Sequence, residues 1–214
     1  MKIVSGEDLE IAKIFDPEGT RKKVDLLFSG RRLIHYTSAD TALKILKNRE
    51  VWLRNVRCMN DFMEVEHGLE MMIRFFATPG PQNPDIGVTE LFSALDYIVP
   101  EISKKTIETM NAWLPRVRND SYIMCLSEHH KKEDDNGRLS MWRAYGAGSV
   151  AVGIVINPLP FYSISDALGS YSAPVSYQTP EEYFNTLRSV ANNVRNNAEA
   201  LKKISPDELA GHFF

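Results

Sequence analysis

The sequence has few of the features that mark secreted, membrane-spanning or polyanion-binding proteins. Its 214 residues include two cysteines, Cys58 and Cys125, which are too few for a disulfide framework. The longest apolar runs, such as residues 150–156, are far shorter than the ~20 residues that span a bilayer. The 25 basic and 28 acidic residues leave no excess of one sign that would favour a polyanion. We therefore expect a cytoplasmic protein with neither a membrane nor a nucleic acid as partner.

Several familiar catalytic motifs are also missing from the sequence. It contains no Gly-x-Ser-x-Gly elbow, no phosphate loop ending in Gly-Lys-Ser/Thr and no His-Glu-x-x-His pair. Gly146 and Gly148 lack the third glycine of a dinucleotide fingerprint, and they precede a predicted strand instead of a helix. The usual serine hydrolase, phosphate-loop, zinc protease and Rossmann interpretations are therefore excluded.

One polar loop, residues 128–135, contains the residue types that bind metals. Its lysines, Lys131 and Lys132, would compete with any cation. We expect a solvated turn here and no metal site.

Helical and strand patterns alternate along the chain and predict an α+β fold. Apolar spacing and start signals predict helices at 9–15, 17–28, 39–47, 62–76, 88–99, 101–114 and 180–203. Two of these starts are capping boxes, at Asp61 with Glu64 and at Thr179 with Glu182. Short apolar runs predict strands at 33–37, 51–53, 122–127, 150–156 and 173–178. The continuous runs 122–127 and 150–156 are typical of strands buried on both faces. The strands would form one small sheet with flanking helices.

The domain organisation predicted from these patterns is a single domain over residues 1–214. Residues 79–117 carry the two central helices and form a helical insertion within it. The last residues, His212, Phe213 and Phe214, are typical of a protein interior. We therefore expect the chain to be C-terminally incomplete, with the two phenylalanines packed on the sheet or starting a strand.

Three segments concentrate polar and aromatic residues at the ends of predicted elements: 35–38, 60–64 and 141–146. His35 and its neighbours follow a strand and begin a helix, where side chains and backbone amides can converge on a ligand. Each segment also has a purely structural explanation: a histidine bonded to a carbonyl, a helix cap, and an aromatic patch that closes a core.

Together these segments resemble a bacterial family known as domain of unknown function 2971. The resemblance rests on His35-Tyr36-Thr37-Ser38, on Asn60-Asp61 with Glu64, and on Met141-Trp142 to Tyr145-Gly146. It covers residues 32–178, with the helical insertion as the most variable part. The family itself implies no activity.

A more distant resemblance is to the histidine-tyrosine-glutamate pattern of ADP-ribosyltransferases, which implies a small sheet of that type and NAD as substrate. His35 would hold a ribose hydroxyl, and Tyr145 would stack on the nicotinamide. The remaining NAD contacts implied by this resemblance would come from Tyr36, Thr37, Ser38, Trp142, Arg143 and Arg57. Such enzymes occur in bacterial toxin and anti-phage systems.

The glutamate of this pattern has no clear occupant. Members of the first family continue into a Glu-x-Glu-Trp-Arg segment, and Glu128 stands at the wrong place in the order. Two functions therefore stay open. The protein either transfers ADP-ribose or hydrolyses NAD, with a protein partner or acceptor, or it is a non-catalytic module that binds a protein or a nucleotide.

Overall fold

The computed structural model describes residues 2–3, 6–58, 63–76, 86–146, 150–164, 170–206 and 209. The chain divides into two compact units. The first, called the sheet unit below, comprises Met1–Val4, Lys22–Arg54 and Tyr122–Ala173. The second, called the helical unit, comprises Ser5–Arg21, Asn55–Ser121 and Pro174–Phe214. Helices and small antiparallel sheets together make an α+β protein, as the sequence predicts.

The helices and strands follow the predicted order closely. They are β1 (Lys2–Ile3), α1 (Gly6–Phe15), α2 (Pro17–Phe28), β2 (Arg32–Ser38), α3 (Ala39–Asn48), β3 (Arg54–Asn55), α4 (Met63–Phe76), α5 (Ile86–Ile98), α6 (Ile102–Asp120), β4 (Tyr122–Ile123), β5 (Ser127–His129), α7 (Leu139–Tyr145), β6 (Ala151–Ile156), β7 (Ser163–Ile164), α8 (Pro180–Asn196) and α9 (Ala198–Leu201). Short 3-10 turns lie at Val56–Cys58, Lys131–Glu133 and Leu159–Tyr162.

A three-stranded antiparallel sheet forms the centre of the sheet unit. Its strand order is β5-β2-β6, so β2 is paired on both sides. In the β2–β6 pair, Leu33 lies opposite Ile156 and Ser38 lies opposite Ala151. In the β2–β5 pair, Leu33 lies opposite Glu128. The strands predicted near Leu33 and residue 150 are thereby confirmed.

Two other predicted strands are not strands in the structure. Residues 51–53 are irregular, with β3 beginning only at Arg54, and residues 173–178 are irregular throughout. Tyr177 is largely exposed in that second segment. Alternating apolar residues favour an extended chain, but a strand also needs a neighbour to pair its backbone N–H and C=O groups.

The apolar run 122–127 was predicted as one strand buried on both faces, and this is wrong. Tyr122 and Ile123 form β4, which pairs with β3, whereas Ser127 begins β5 in the central sheet. Tyr122 is exposed, and so is Val155 in β6. Antiparallel sheets can leave one face in contact with solvent, so apolar runs do not require burial on both sides.

The core of the helical unit lies where α5 packs against α8. Leu91 and Leu95 of α5 and Val194 of α8 are almost fully buried. The predicted capping box opens α8: the Thr179 hydroxyl accepts from the Glu182 N–H, and the Glu182 carboxylate accepts from the Thr179 N–H. The helix predicted to reach residue 203 ends at Asn196 and is followed by α9.

An ion pair links α4 to α6 within the same unit. The Arg118 guanidinium donates two hydrogen bonds to Glu66, with Nε 2.8 Å from Oε1. Hydrogen bonding from Arg118 lowers the pKa of Glu66. Asp61, the cap of the box predicted with Glu64, lies outside the described residues, and so do Phe213 and Phe214. The capping box and the packing of the two phenylalanines therefore stay predictions.

Gly153 provides a test of packing in the sheet unit. An added Cβ would lie 2.7 Å from Ile34 Cδ1 and 3.3 Å from Trp142 Cη2, and Ile34 is buried. We expect Gly153→Ala to lower the free energy of unfolding by about 1–3 kcal/mol, because overpacking forces neighbouring side chains to shift. Chemical denaturation measures this loss.

Gly68→Ala is the matched control, because no atom lies within 4 Å of its added Cβ and it sits inside α4. There alanine should stabilise the protein by up to about 1 kcal/mol through its higher helix propensity. A Gly153→Ala protein as stable as the wild type would contradict the packing described here.

Candidate functional site

Strand β2 distributes the predicted site residues between the two faces of the sheet. Side chains alternate along a strand, so Ile34 and Tyr36 share one face, whereas His35 and Thr37 share the other. Ile34 and Tyr36 are each only 3% exposed. We call their side the closed face. His35 and Thr37 are part-buried and define the open face.

The closed face is filled by an aromatic pair. The rings of Tyr36 and Trp142 meet edge to face, with centroids 4.6 Å apart. The Tyr36 hydroxyl accepts a hydrogen bond from the Arg138 N–H at 3.1 Å, and Trp142 Nε1 donates to the Asn136 carbonyl at 2.7 Å. Gly137, at φ 60°, gives Trp142 room, since a Cβ there would lie 2.7 Å from its ring.

This pair involves two of the predicted NAD contacts. Tyr36 is buried and its hydroxyl accepts from the Arg138 N–H. Trp142 packs against Tyr36 and donates its N–H to Asn136, and it is half-buried. These are the contacts of an aromatic patch that closes a core, and the part of both residues in NAD binding stays a prediction.

The segment 128–135 is partly the solvated turn expected from its charges, but its first residues belong to β5 and several of its side chains are paired. His129 is only 2% exposed, and its Nε2 lies 2.9 Å from Asp134 Oδ1. Glu133 accepts from the His130 N–H at 2.9 Å and from Arg138 Nε at 2.7 Å. The two lysines, Asp134 and Asp135 are exposed, whereas Glu133 is half-buried and His129 is buried.

These contacts lower the pKa values of two carboxyl groups. The Arg138 hydrogen bond and the His130 N–H lower the pKa of Glu133 to about 2. The hydrogen bond with His129, aided by Arg32, lowers the pKa of Asp134. Both carboxylates therefore stay ionised well into acid and hold the loop in place.

On the open face, His35 and Thr37 lie among aliphatic residues of β6. Ile154 is opposite His35, and Val152 is opposite Thr37. The Nδ1 of His35 lies 3.4 Å from the Cys125 carbonyl oxygen. Donation from Nδ1 to that carbonyl would leave Nε2 as a hydrogen-bond acceptor. The open face thus combines polar groups with an apolar surface.

From the sequence, Glu128 does not fit the glutamate of the histidine-tyrosine-glutamate pattern, because it stands at the wrong place in the order of the three residues. The sheet register nevertheless places Glu128 on the open face. Glu128 lies opposite Leu33, and Leu33 shares a face with His35. It also forms an ion pair with Arg31. The relevant signal, antiparallel pairing between β2 and β5, cannot be obtained from either strand alone.

Tyr145 and Arg143, two of the remaining predicted residues, belong to α7. Trp142 places α7 over the closed face, and Tyr145, three residues further along this helix, is 49% exposed. His35 lies on the open face, and the cleft predicted for it and Tyr145 stays a prediction. The exposed Arg143 belongs to the same helix.

Two further predicted NAD contacts have other positions. Ser38 caps α3: its hydroxyl accepts from the Thr41 N–H at 3.3 Å and donates to the Thr41 hydroxyl. Arg57 belongs to the helical unit. Of the predicted site residues, the sheet register therefore brings only His35 and Thr37 onto one surface.

The described parts of the chain contain no group of three or more His, Cys, Asp or Glu that could hold a metal ion. No helix among them combines the length and apolar character needed to cross a bilayer.

The low pKa of Glu133 predicts a contribution to acid stability. Because its folded pKa of about 2 lies below the ordinary value of 4.5, its contribution is present above pH 4.5 and is lost as the pH falls towards 2. We expect Glu133→Gln to lose less stability than the wild type over that range. Denaturation at a series of pH values measures the difference.

Asp135→Asn is the control, because it removes one negative charge from an exposed position in the same loop. It should follow the wild-type pH dependence. Parallel curves for the wild type and Glu133→Gln would show that Glu133 is not held by Arg138 and His130 in solution.

Comparisons with known proteins do not indicate a function for the site. No family model, no curated protein and no solved structure matches the chain. Its functional interpretation therefore rests on the chemistry of its own residues, above all those of the open face.

Proposed function

We propose that this chain is an NAD-binding, ADP-ribosyltransferase-like protein that binds the nucleotide on the open face of its central sheet. The observation that carries this proposal is the position of His35. Its side chain projects from the middle of β2, with Nδ1 close to the Cys125 carbonyl. A neutral imidazole held in this way presents Nε2 to a ribose hydroxyl, which donates the hydrogen bond.

The surroundings of His35 support a nucleoside as ligand. Thr37, two residues along the strand, supplies a hydroxyl that can both donate and accept. Val152 and Ile154 offer an apolar surface to a flat ring. Small-molecule sites commonly combine a largely apolar lining with a few polar groups that fix orientation.

Glu128 supplies the carboxylate that catalysis at the ribose requires. The bond between nicotinamide nitrogen and ribose C1′ would break with its electron pair on nicotinamide, leaving positive charge at C1′. A carboxylate on the same face as His35 stabilises that charge. Water, or an acceptor hydroxyl, then bonds to C1′ and gives its proton to the carboxylate, so that ADP-ribose and nicotinamide are the products of hydrolysis.

The second candidate is a module that binds a nucleotide or a protein without catalysis. One observation favours it: Arg31 forms an ion pair with Glu128 and partly neutralises this carboxylate. The two candidates differ in whether nicotinamide is released.

Substitution of His35 tests the binding site. We expect His35→Ala to weaken NAD binding about 3- to 10-fold, the loss of one hydrogen bond, with an unchanged melting temperature because the side chain is part-exposed. Calorimetry measures affinity and thermal melts measure stability. His67→Ala, at an exposed position of α4, is the control and should bind as the wild type does. Equal NAD affinity in the wild type and both variants would show that His35 has a structural role and does not bind NAD.

Substitution of Glu128 separates the two candidates. If the protein is an enzyme, wild type releases nicotinamide from NAD, and Glu128→Gln should do so about 100-fold more slowly while still binding NAD. Glu199→Gln, an exposed glutamate on α9, is the charge-matched control. Binding without any nicotinamide release by the wild type would establish the non-catalytic candidate instead, and absence of NAD binding would overturn the proposal.

A further inference from the structure

Helix α3 of the sheet unit carries an exposed apolar surface. Leu43 and Leu46 are three residues apart, so they lie on one side of the helix, and they are 65% and 64% exposed. The backbone of Val150, another exposed residue, meets the start of the helix, where its carbonyl accepts from the Ala39 N–H. Two more exposed apolar residues follow the helix in the chain. We call this set the α3 patch: Leu43, Leu46, Val51, Trp52 and Val150.

The packing of α3 leaves the leucines of this patch uncovered. The helix contacts β2 and β6, with Ala42 buried and Ile45, three residues further on, half-buried. Leu43 and Leu46 each follow one of these two residues, so they lie beside the covered line of the helix. The apolar side of α3 is therefore wider than the part that the sheet covers. Contiguous exposed apolar surface of this kind marks an interaction site.

Cations border the α3 patch. Four of them are exposed, and among the described residues their side chains form no ion pair or hydrogen bond: Lys44, Lys47, Arg49 and Arg54. The same stretch of chain, residues 39–54, has two acidic residues, Asp40 and Glu50. Positive charge thus dominates around the patch, although the whole chain has a formal charge of −3.

We propose that the α3 patch binds an acidic amphipathic helix of a partner protein. A helix with apolar residues at spacings of three and four can set them against Leu43 and Leu46, as in other helix-recognition surfaces. Glu and Asp residues beside that apolar stripe would lie opposite the unpaired cations. The proposal does not depend on NAD binding, because no residue of the patch is among the predicted NAD contacts.

Charge and shape favour this partner over two others. In a two-fold dimer through the patch, the cations of each copy would face the same cations of the other, and like charges oppose such a contact. A helix that lies in a membrane surface immerses a broad apolar face. One side of α3 already packs on the sheet, so only the narrow stripe of Leu43 and Leu46 is available.

Selection from a display library of random peptides of about 15 residues, four helical turns, identifies the chemistry that the patch accepts. Peptides enriched on the wild-type protein should have a negative net charge and apolar residues at helical spacing. Their binding should shift the amide NMR signals of residues 39–52. No enrichment, enrichment of basic or uncharged peptides, or signal shifts confined to other residues would overturn the proposal.

Substitution of Leu46 tests the apolar contact with an enriched peptide. We expect Leu46→Gln to weaken peptide binding about 10-fold, because it removes an apolar side chain from the centre of the contact. Leu139→Gln is the matched control, since Leu139 is also 64% exposed but belongs to α7. Both positions are exposed, so both variants should melt as the wild type does. Equal affinity of the two variants for the peptide would contradict the proposal.

Substitution of Lys47 tests the charge. Lys47→Glu should weaken binding of the acidic peptide about 10-fold at low ionic strength and by less in high salt, because salt screens exposed charges. Lys131→Glu makes the same charge change at an exposed position of the loop after β5 and should bind as the wild type does. The same loss in both variants would show that only net charge matters, and it would overturn a specific site at α3.

Two further measurements cover the other occupants. Analytical ultracentrifugation at increasing protein concentration should show no self-association that Leu46→Gln abolishes. Vesicles of phosphatidylserine and phosphatidylcholine should not retain the wild-type protein more than Leu46→Gln. Self-association that depends on Leu46 would assign the patch to a second copy, and vesicle binding that depends on Leu46 would assign it to a membrane. Either result would replace the acidic helix as the partner.

Discussion

The edge-to-face contact between Tyr36 and Trp142 fixes what each side of the central sheet can do. It requires a glycine at position 153, where β6 passes beneath the indole, and a glycine at position 137 with a positive φ. With these conditions met, α7 covers one face of β2. Since side chains alternate along β2, the residues left for a ligand are those on the other face.

That constraint changes how the local motif is interpreted. His35, Tyr36, Thr37 and Ser38 are adjacent in sequence but have three different roles. Tyr36 completes the core, Ser38 caps α3, and His35 and Thr37 remain on the open face. A motif that spans a strand therefore cannot contribute all its side chains to one ligand, because neighbouring residues point in opposite directions.

The loop after β5 illustrates how charge pairing can order a polar segment. Its sequence has the composition of a solvated turn, yet His129 is buried and Glu133 and Asp134 are held by Arg138 and Arg32. Buried polar groups are tolerated when they have partners, and here the partners come from β2 and from the start of α7.

The sequence by itself determined those elements whose signals are local. The capping box at Thr179, the apolar spacing of α8 and the bounds of α2 follow from residues within a few positions of one another, so they were predicted correctly. Tertiary structure decided which strands exist and which residues share a face. Residues 173–178 have the pattern of a strand but pair with no strand in the described part of the chain, whereas Glu128 joins the face of His35 through pairing across more than ninety residues of chain. Backbone pairing and burial depend on distant segments, and no local pattern contains that information.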